Sequence, residues 1–218
     1  MKKYYYDQES EYTPEEKYLY LLLYAPGSSG RFNEKIKGST WLQKQMHVLS
    51  KFIKEPEYGF DEHNFGVFSP ALDTIKVQNT ASEMINQSDE EGPLNLTEKG
   101  VNVSEKLWKK ASESEKTIIT DLKAFLNDMD YWDLIAFSYS TFPETTSKSE
   151  IRPEFHKHRI HAAVNLFKKQ KVTVNKAASI AGMDVEEFLE ELKKRKIPAY
   201  STSKTDFEKS LKLLENLT

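Results

Sequence analysis

Apolar residues recur along this chain at three- and four-residue spacings, and few stretches alternate with the period of a strand. The pattern predicts a mainly α protein. "TPEEKYLYLLLYA" opens the first helix: Thr13 can cap it, Pro14 suits its first position and Glu16 completes a capping box. "PGSSG", Pro26 to Gly30, stops it. "GSTWLQKQMHVLSKFI" predicts a second helix with Ser39 or Thr40 as its cap, and Leu42, Met46, Leu49 and Ile53 on one face. "EPEYGFDEHNFGVF" is aromatic and irregular, with room for one short extended piece. A third helix follows in "SPALDTIKVQNTASEMI", with Ser69 as cap and Pro70 at its first position.

"NQSDEEGPLNLTEKG" predicts a β-hairpin or wing, with a turn at Asp89 to Pro93 and a strand at Leu94 to Leu96. Thr97 then caps a helix reaching about Ala111. A further amphipathic helix is expected to be capped near Ser114, and "YWDLIAFSYSTF" is a short helix or an extended aromatic segment. Residues 144–153, polar and closed by Pro153, are the best linker. The expected organisation is a polar arm at 1–12, a winged-helix-like domain with extra helices at 13–143, the linker, and a helix-turn-helix domain at 154–218.

In that last segment "EFHKHRIHAAVNLFKKQK" is a basic amphipathic helix. Thr173 then caps a short helix carrying Ala177 and Ala178, and Gly182 relieves a turn. Asp184 caps the next helix with Glu187 at its third position, while Met183 and Phe188 occupy the staple positions. Phe188, Leu189 and Leu192 are its core face, and Ile197 and Pro198 end it.

Charge is more informative here than overall composition. The 218 residues carry a net −3. From Ile151 onward there are 14 Lys and Arg against 9 Asp and Glu, a net +5, which leaves −8 on the first 150 residues. Charge alone sends nucleic acid to the C-terminal part. The candidate DNA-contacting residues there are Lys157, Arg159, Lys168, Lys169, Lys171, Lys176, Lys193, Lys194, Arg195 and Lys196. Opposing them, the second helix of the pair opens with Asp184, Glu186, Glu187, Glu190 and Glu191. Base-reading residues usually sit at that N-terminal end, and no Arg, Asn or Gln stands there to read a purine edge. The acids also have a plain role beside a helix dipole. Upstream, the third helix offers Lys76, Gln78, Asn79 and Thr80, but its wing carries Asp89, Glu90 and Glu91. These three are candidates for binding a protein partner.

Other chemistry is thin. There is no cysteine, which removes disulfides, thiolate catalysis and Cys-based zinc sites. His156, His158 and His161 are better read as a basic surface than as a metal site. Asp128, Asp130 and Asp133 are better read as helix-end caps than as ligands for the Mg²⁺ of a nuclease. Phosphate-binding and nucleophile-elbow motifs are missing from the sequence. The expectation is a non-enzymatic protein without a cofactor. "MKKYYYDQESEY" has no apolar signal core, and "YLYLLLYA" is far too short for a membrane span. A cytoplasmic protein without membrane contact is expected.

Two resemblances rest on specific residues. "AVNLFKKQKVTVNKAASIAGMDVEEFLEELKKRKIPAYS", with the trailing "DFEKSLKLLENL", resembles the small prokaryotic proteins of uncharacterised protein family 0175, described as antitoxin-like helix-turn-helix proteins. That similarity runs from Phe155 to Leu217. "KIKGSTWLQKQMHVL", "FGVFSPAL" and "LNLTEKG" are similar, in the same order, to the winged-helix antitoxin domains of the Panacea type, over Tyr18 to about Pro143. "FGVFS" and Trp41 depart from that pattern. The resemblances imply binding modules that neutralise a toxin or tether a partner. The leading expectation is a regulator of transcription that binds DNA through its basic C-terminal domain, with a homodimer in keeping with such regulators. The alternative is an antitoxin or adaptor that binds protein and not DNA.

Overall fold

The computed structural model describes residues 11–63, 66–143 and 149–199. Most of the polar arm, the middle of the linker and the trailing "DFEKSLKLLENL" lie outside the described residues. The chain is mainly helical, with nine helices and two small antiparallel hairpins among the described residues. It divides into two compact units, residues 1–152 and 153–218.

The centre of the first unit is α1 (Pro14–Tyr24). The predicted Thr13–Glu16 capping box forms, with both reciprocal bonds present. Tyr18 to Leu23 are all buried, so six consecutive residues of this helix face protein on every side, and Tyr24 at its end is half-buried. It is packed by α4 (Glu98–Lys110), α5 (Glu113–Asn127) and β4 (Leu94–Leu96). α1 has no basic residue in its last turn. Lys123 of α5 supplies one: its Nζ donates to the carbonyls of Leu23 and Ala25 at 2.8 and 2.7 Å. A cation there satisfies orphan carbonyls and complements the helix dipole. Lys123 is fully buried, and desolvation pulls its amine down to about 7, against a smaller upward effect from Glu34.

α2 (Ser39–Phe52) packs on α5. Its cap differs from the expectation of Ser39 or Thr40. Gly38 is the N-cap residue and makes no side-chain cap bond, while Ser39 Oγ donates instead to the Glu90 carbonyl at 2.6 Å. A Cβ at Gly38 would collide with the Glu91 carbonyl, so the wing backbone needs glycine there. Five consecutive residues of α2, Gln43 to His47, are buried.

The irregular aromatic segment contains a hairpin, β1 (Asp61–His63) with β2 (Gly66–Phe68). Gln43 exchanges two bonds with the Ser69 backbone, and Lys44 Nζ donates to the Val67 carbonyl at 2.9 Å. These tie the hairpin and the start of α3 (Pro70–Ala81) to α2. β3 (Ile85–Gln87) then pairs with β4, and Ile36 adds a single antiparallel bridge to Leu94. The predicted wing therefore has a third, one-residue strand beside it. α4 is capped by Thr97 as expected. α5 is capped by Ser112, two residues before Ser114, because Ser112 and Glu115 form a reciprocal box. "YWDLIAFSYST" is helical as α6 (Tyr131–Thr141).

The second unit comprises α7 (Arg152–Lys168), α8 (Val174–Ala181) and α9 (Val185–Lys194). α7 opens at Arg152, so Arg152 and Pro153 are its first turn. Thr173 caps α8, and Asp184 with Glu187 forms the box that starts α9. Gly182 adopts φ 68 between them, the left-handed conformation that glycine tolerates best. Its N–H and that of Met183 satisfy the last carbonyls of α8. Ala177, Ala178, Ala181, Phe188 and Leu192 are buried, and Leu189 is half-buried. Phe167 meets Phe188 edge-on at 6.2 Å, joining the last turn of α7 to α9.

Candidate functional site

The ten basic candidates of the second unit differ in what holds them. On α7, Lys157 forms a 2.6 Å pair with Glu154 one turn earlier, and His158 stands 3.4 Å from the same carboxylate. The hydrogen bond from Lys157, helped by its charge and by His158, holds the Glu154 carboxyl below its usual range. Arg159 is half-buried, and its guanidinium lies against Gly182, where a Cβ would strike it. That packing is a structural use of Arg159. Lys169, Lys171 and Lys176 are half-buried. At the end of α9, Arg195 Nε binds Glu191 at 2.7 Å. Lys168, Lys193, Lys194 and Lys196 are exposed, with no ion pair among the described residues. Lys196 has φ 57, and the Ile197 N–H closes back onto the Leu192 carbonyl. The chain thus leaves α9 in a left-handed turn that presents three free lysines within four positions.

The opening of α9 is acidic, and its acids have distinct tasks. Asp184 and Glu187 are occupied by capping, whereas Glu186 and Glu190 are exposed. The helix therefore presents negative charge at its start and positive charge at its end, the order that complements its dipole.

In the first unit, the polar residues of α3 are redistributed relative to the expectation for a recognition helix. Lys76 and Asn79 are each only 4% exposed. Lys76 Nζ is bound by Asp73 at 2.9 Å and Ser39 Oγ at 3.0 Å. Asn79 Oδ1 accepts from the Tyr20 hydroxyl, and its Nδ2 donates to the Ile75 carbonyl. Neither side chain reaches outward to a base. Thr80 is half-buried and its hydroxyl donates to the Lys76 carbonyl. The exposed positions are Pro70, Ala71, Thr74, Val77, Gln78 and Ala81, which include no cation. The wing residues Asp89, Glu90 and Glu91 are exposed, and Asp89 and Glu90 border that face. Sequence patterning missed this inward turn because Lys76 and Asn79 look like surface residues by type, and the partners Tyr20 and Ser39 come from distant positions in the chain.

The remaining clusters resolve into local structure. Asp130 is the N-cap of α6, and its N–H donates to Asp133 Oδ2 at 3.5 Å, while Asp128 is the C-cap of α5. His161 Nε2 lies 3.1 Å from Asn165. Among the described residues, no three His, Asp or Glu side chains converge as a metal site, and no helix is long and apolar enough to cross a membrane.

A family model described as an uncharacterised protein family, UPF0175, matches residues 142–216. The C-terminal part of the chain is thus similar to that family. No curated protein and no solved structure matches the chain.

Proposed function

We propose that this chain is a non-enzymatic regulator of the antitoxin or transcription-factor kind. Its C-terminal unit is a helix-turn-helix that contacts the DNA phosphate backbone, and its N-terminal unit is a winged-helix-like module. The observation carrying the DNA contact is the basic end of α9, where Lys193, Lys194 and Lys196 stand exposed and unpaired among the described residues. Phosphates are gripped by such point charges without sequence preference. The tight α8–Gly182–α9 corner supports the helix-turn-helix reading. The order α1, the Ile36 bridge, α2, α3 and the β3–β4 hairpin, interrupted by the β1–β2 hairpin between α2 and α3, supports the winged-helix reading.

A second reading is favoured by a specific observation: Glu186 and Glu190, exposed at the start of α9, repel phosphates from the end that usually enters a groove. In that reading the unit binds protein. A salt titration of the full chain against random duplex DNA separates the two. Phosphate contact gives a log–log slope of about −0.9 for each phosphate engaged. Changing Lys193, Lys194 and Lys196 to Glu then removes most of the affinity and flattens the slope by about 2 to 3. Absence of binding at low salt leaves the protein-binding reading in place.

A further inference from the structure

The outer face of α3 and the wing enclose a groove of about 430 Å³ that no part of the proposed DNA contact uses. Its floor is Val77, Ala81 and Thr80. Val77 is 55% exposed, one of four large hydrophobic side chains left exposed among the described residues, and it lies beside the exposed Ala81. The walls carry Asp73 on α3 and Asp89 and Glu90 on the wing. Lys76 is the single cation in the lining, and it is already bound by Asp73 and Ser39 with only 5% of its side chain exposed. The groove therefore joins an apolar floor to an anionic rim.

The walls are held in place without an occupant. Gln87 Nε2 donates to the carbonyls of Glu90 and Gly92 at 3.0 and 2.9 Å, and Ser39 Oγ donates to the same Glu90 carbonyl. Gly38 lets the Glu91 backbone close onto the start of α2. A preformed groove loses little conformational entropy when filled. Its volume suits two or three side chains of a short segment and is too small for a folded domain. Its charge repels phosphate and acidic chains and attracts Lys and Arg.

We propose that this groove docks a cationic amphipathic peptide segment of a protein partner. Apolar side chains of the segment, one helical turn apart, seat on Val77 and Ala81. Its Lys or Arg residues lie against Asp89 and Glu90. The proposal stands independently of DNA binding by the other unit.

The test is titration of the full chain into a fluorescein-labelled amphipathic leucine–lysine peptide, with a leucine–glutamate peptide of the same pattern as control. Saturable binding of the lysine peptide alone is expected. Val77→Ser and Glu90→Lys should each weaken it about tenfold, a loss of about 1.4 kcal/mol, while leaving the melting temperature unchanged because both side chains are exposed. The amide resonances of Val77, Thr80, Ala81 and Asp89 should move on binding. Equal binding of the two peptides, indifference to both variants, or resonance shifts confined to other residues would each overturn the proposal. So would duplex DNA moving the same α3 and wing amides, which would make the face a nucleic-acid surface.

Discussion

Lys123 shows how much a single buried side chain can set. Its amine replaces a missing cation at the end of α1, yet desolvation lowers its proton affinity to about 7. The unfolded chain holds that proton up to about 10.5. Between those values the unfolded state binds more protons, so stability rises with pH there and falls as pH drops through the window. Lys44, buried and lowered to about 8 by desolvation, acts with the same sign from 8 upward. The raised tyrosines Tyr18, Tyr20 and Tyr58 oppose it only near and above pH 10. Urea midpoints should therefore climb from pH 7 to about 9.5. Lys123→Met keeps the volume and removes the titration, so its profile should be flatter by up to roughly 1 kcal/mol per pH unit. Parallel profiles for the two proteins would show that Lys123 titrates normally. Nothing in the local pattern around "TDLKAFL" marks this lysine as buried, because its partners lie 98 and 100 residues away. The same holds for Gln45, His47 and Lys76, polar residues by type whose burial comes from tertiary packing.

At the level of elements, the chain is legible where capping is local. Thr13, Ser69, Thr97, Thr173 and Asp184 all cap the helices their motifs announce. Two local choices depended on geometry that spacing does not carry. Ser112 prevails over Ser114 because Glu115 can reach back to it, and Gly38 stands at the head of α2 because the wing passes too close for a side chain. Where the hairpin β1–β2 stands, the sequence announces one short extended piece but not the pairing of two, because this aromatic segment has no flanking turn signal of the kind that marks β3–β4. The candidate cations were legible as charges, but not which of them are engaged: Lys157 pairs with Glu154 and Arg195 with Glu191. Two of the left-handed helix ends give a paired prediction. Gly182 and Lys196 occupy equivalent positions, with φ of 68 and 57, but only one is glycine. Gly182→Ala should destabilise the second unit by about 1 kcal/mol, and Lys196→Gly should stabilise it by up to about 1 kcal/mol. Hydrogen exchange of the α7–α9 amides reads both; shifts of the same sign would contradict the left-handed geometry.

For the whole molecule, the separation of charge between residues 1–150 and 151–218 predicts a long-range effect distinct from contact. An acidic first unit lowers the local potential that any polyanion meets on approach, whether or not it touches that unit. Exposed charges are screened beyond about 8 Å at physiological ionic strength. Converting Asp89, Glu90 and Glu91 to Gln should thus raise the association rate of the full chain with random duplex DNA by a few-fold at low salt, roughly as steering predicts. The gain should vanish near 0.15 M salt, roughly where the screening length falls below the distance over which these charges act. Loss of the gain places the wing outside the DNA contact and leaves Asp89 and Glu90 to the groove beside Val77. A gain that survives salt would mean the wing approaches phosphate directly, and the proposed division of labour between a basic DNA-contacting unit and an acidic partner-binding unit would have to be abandoned.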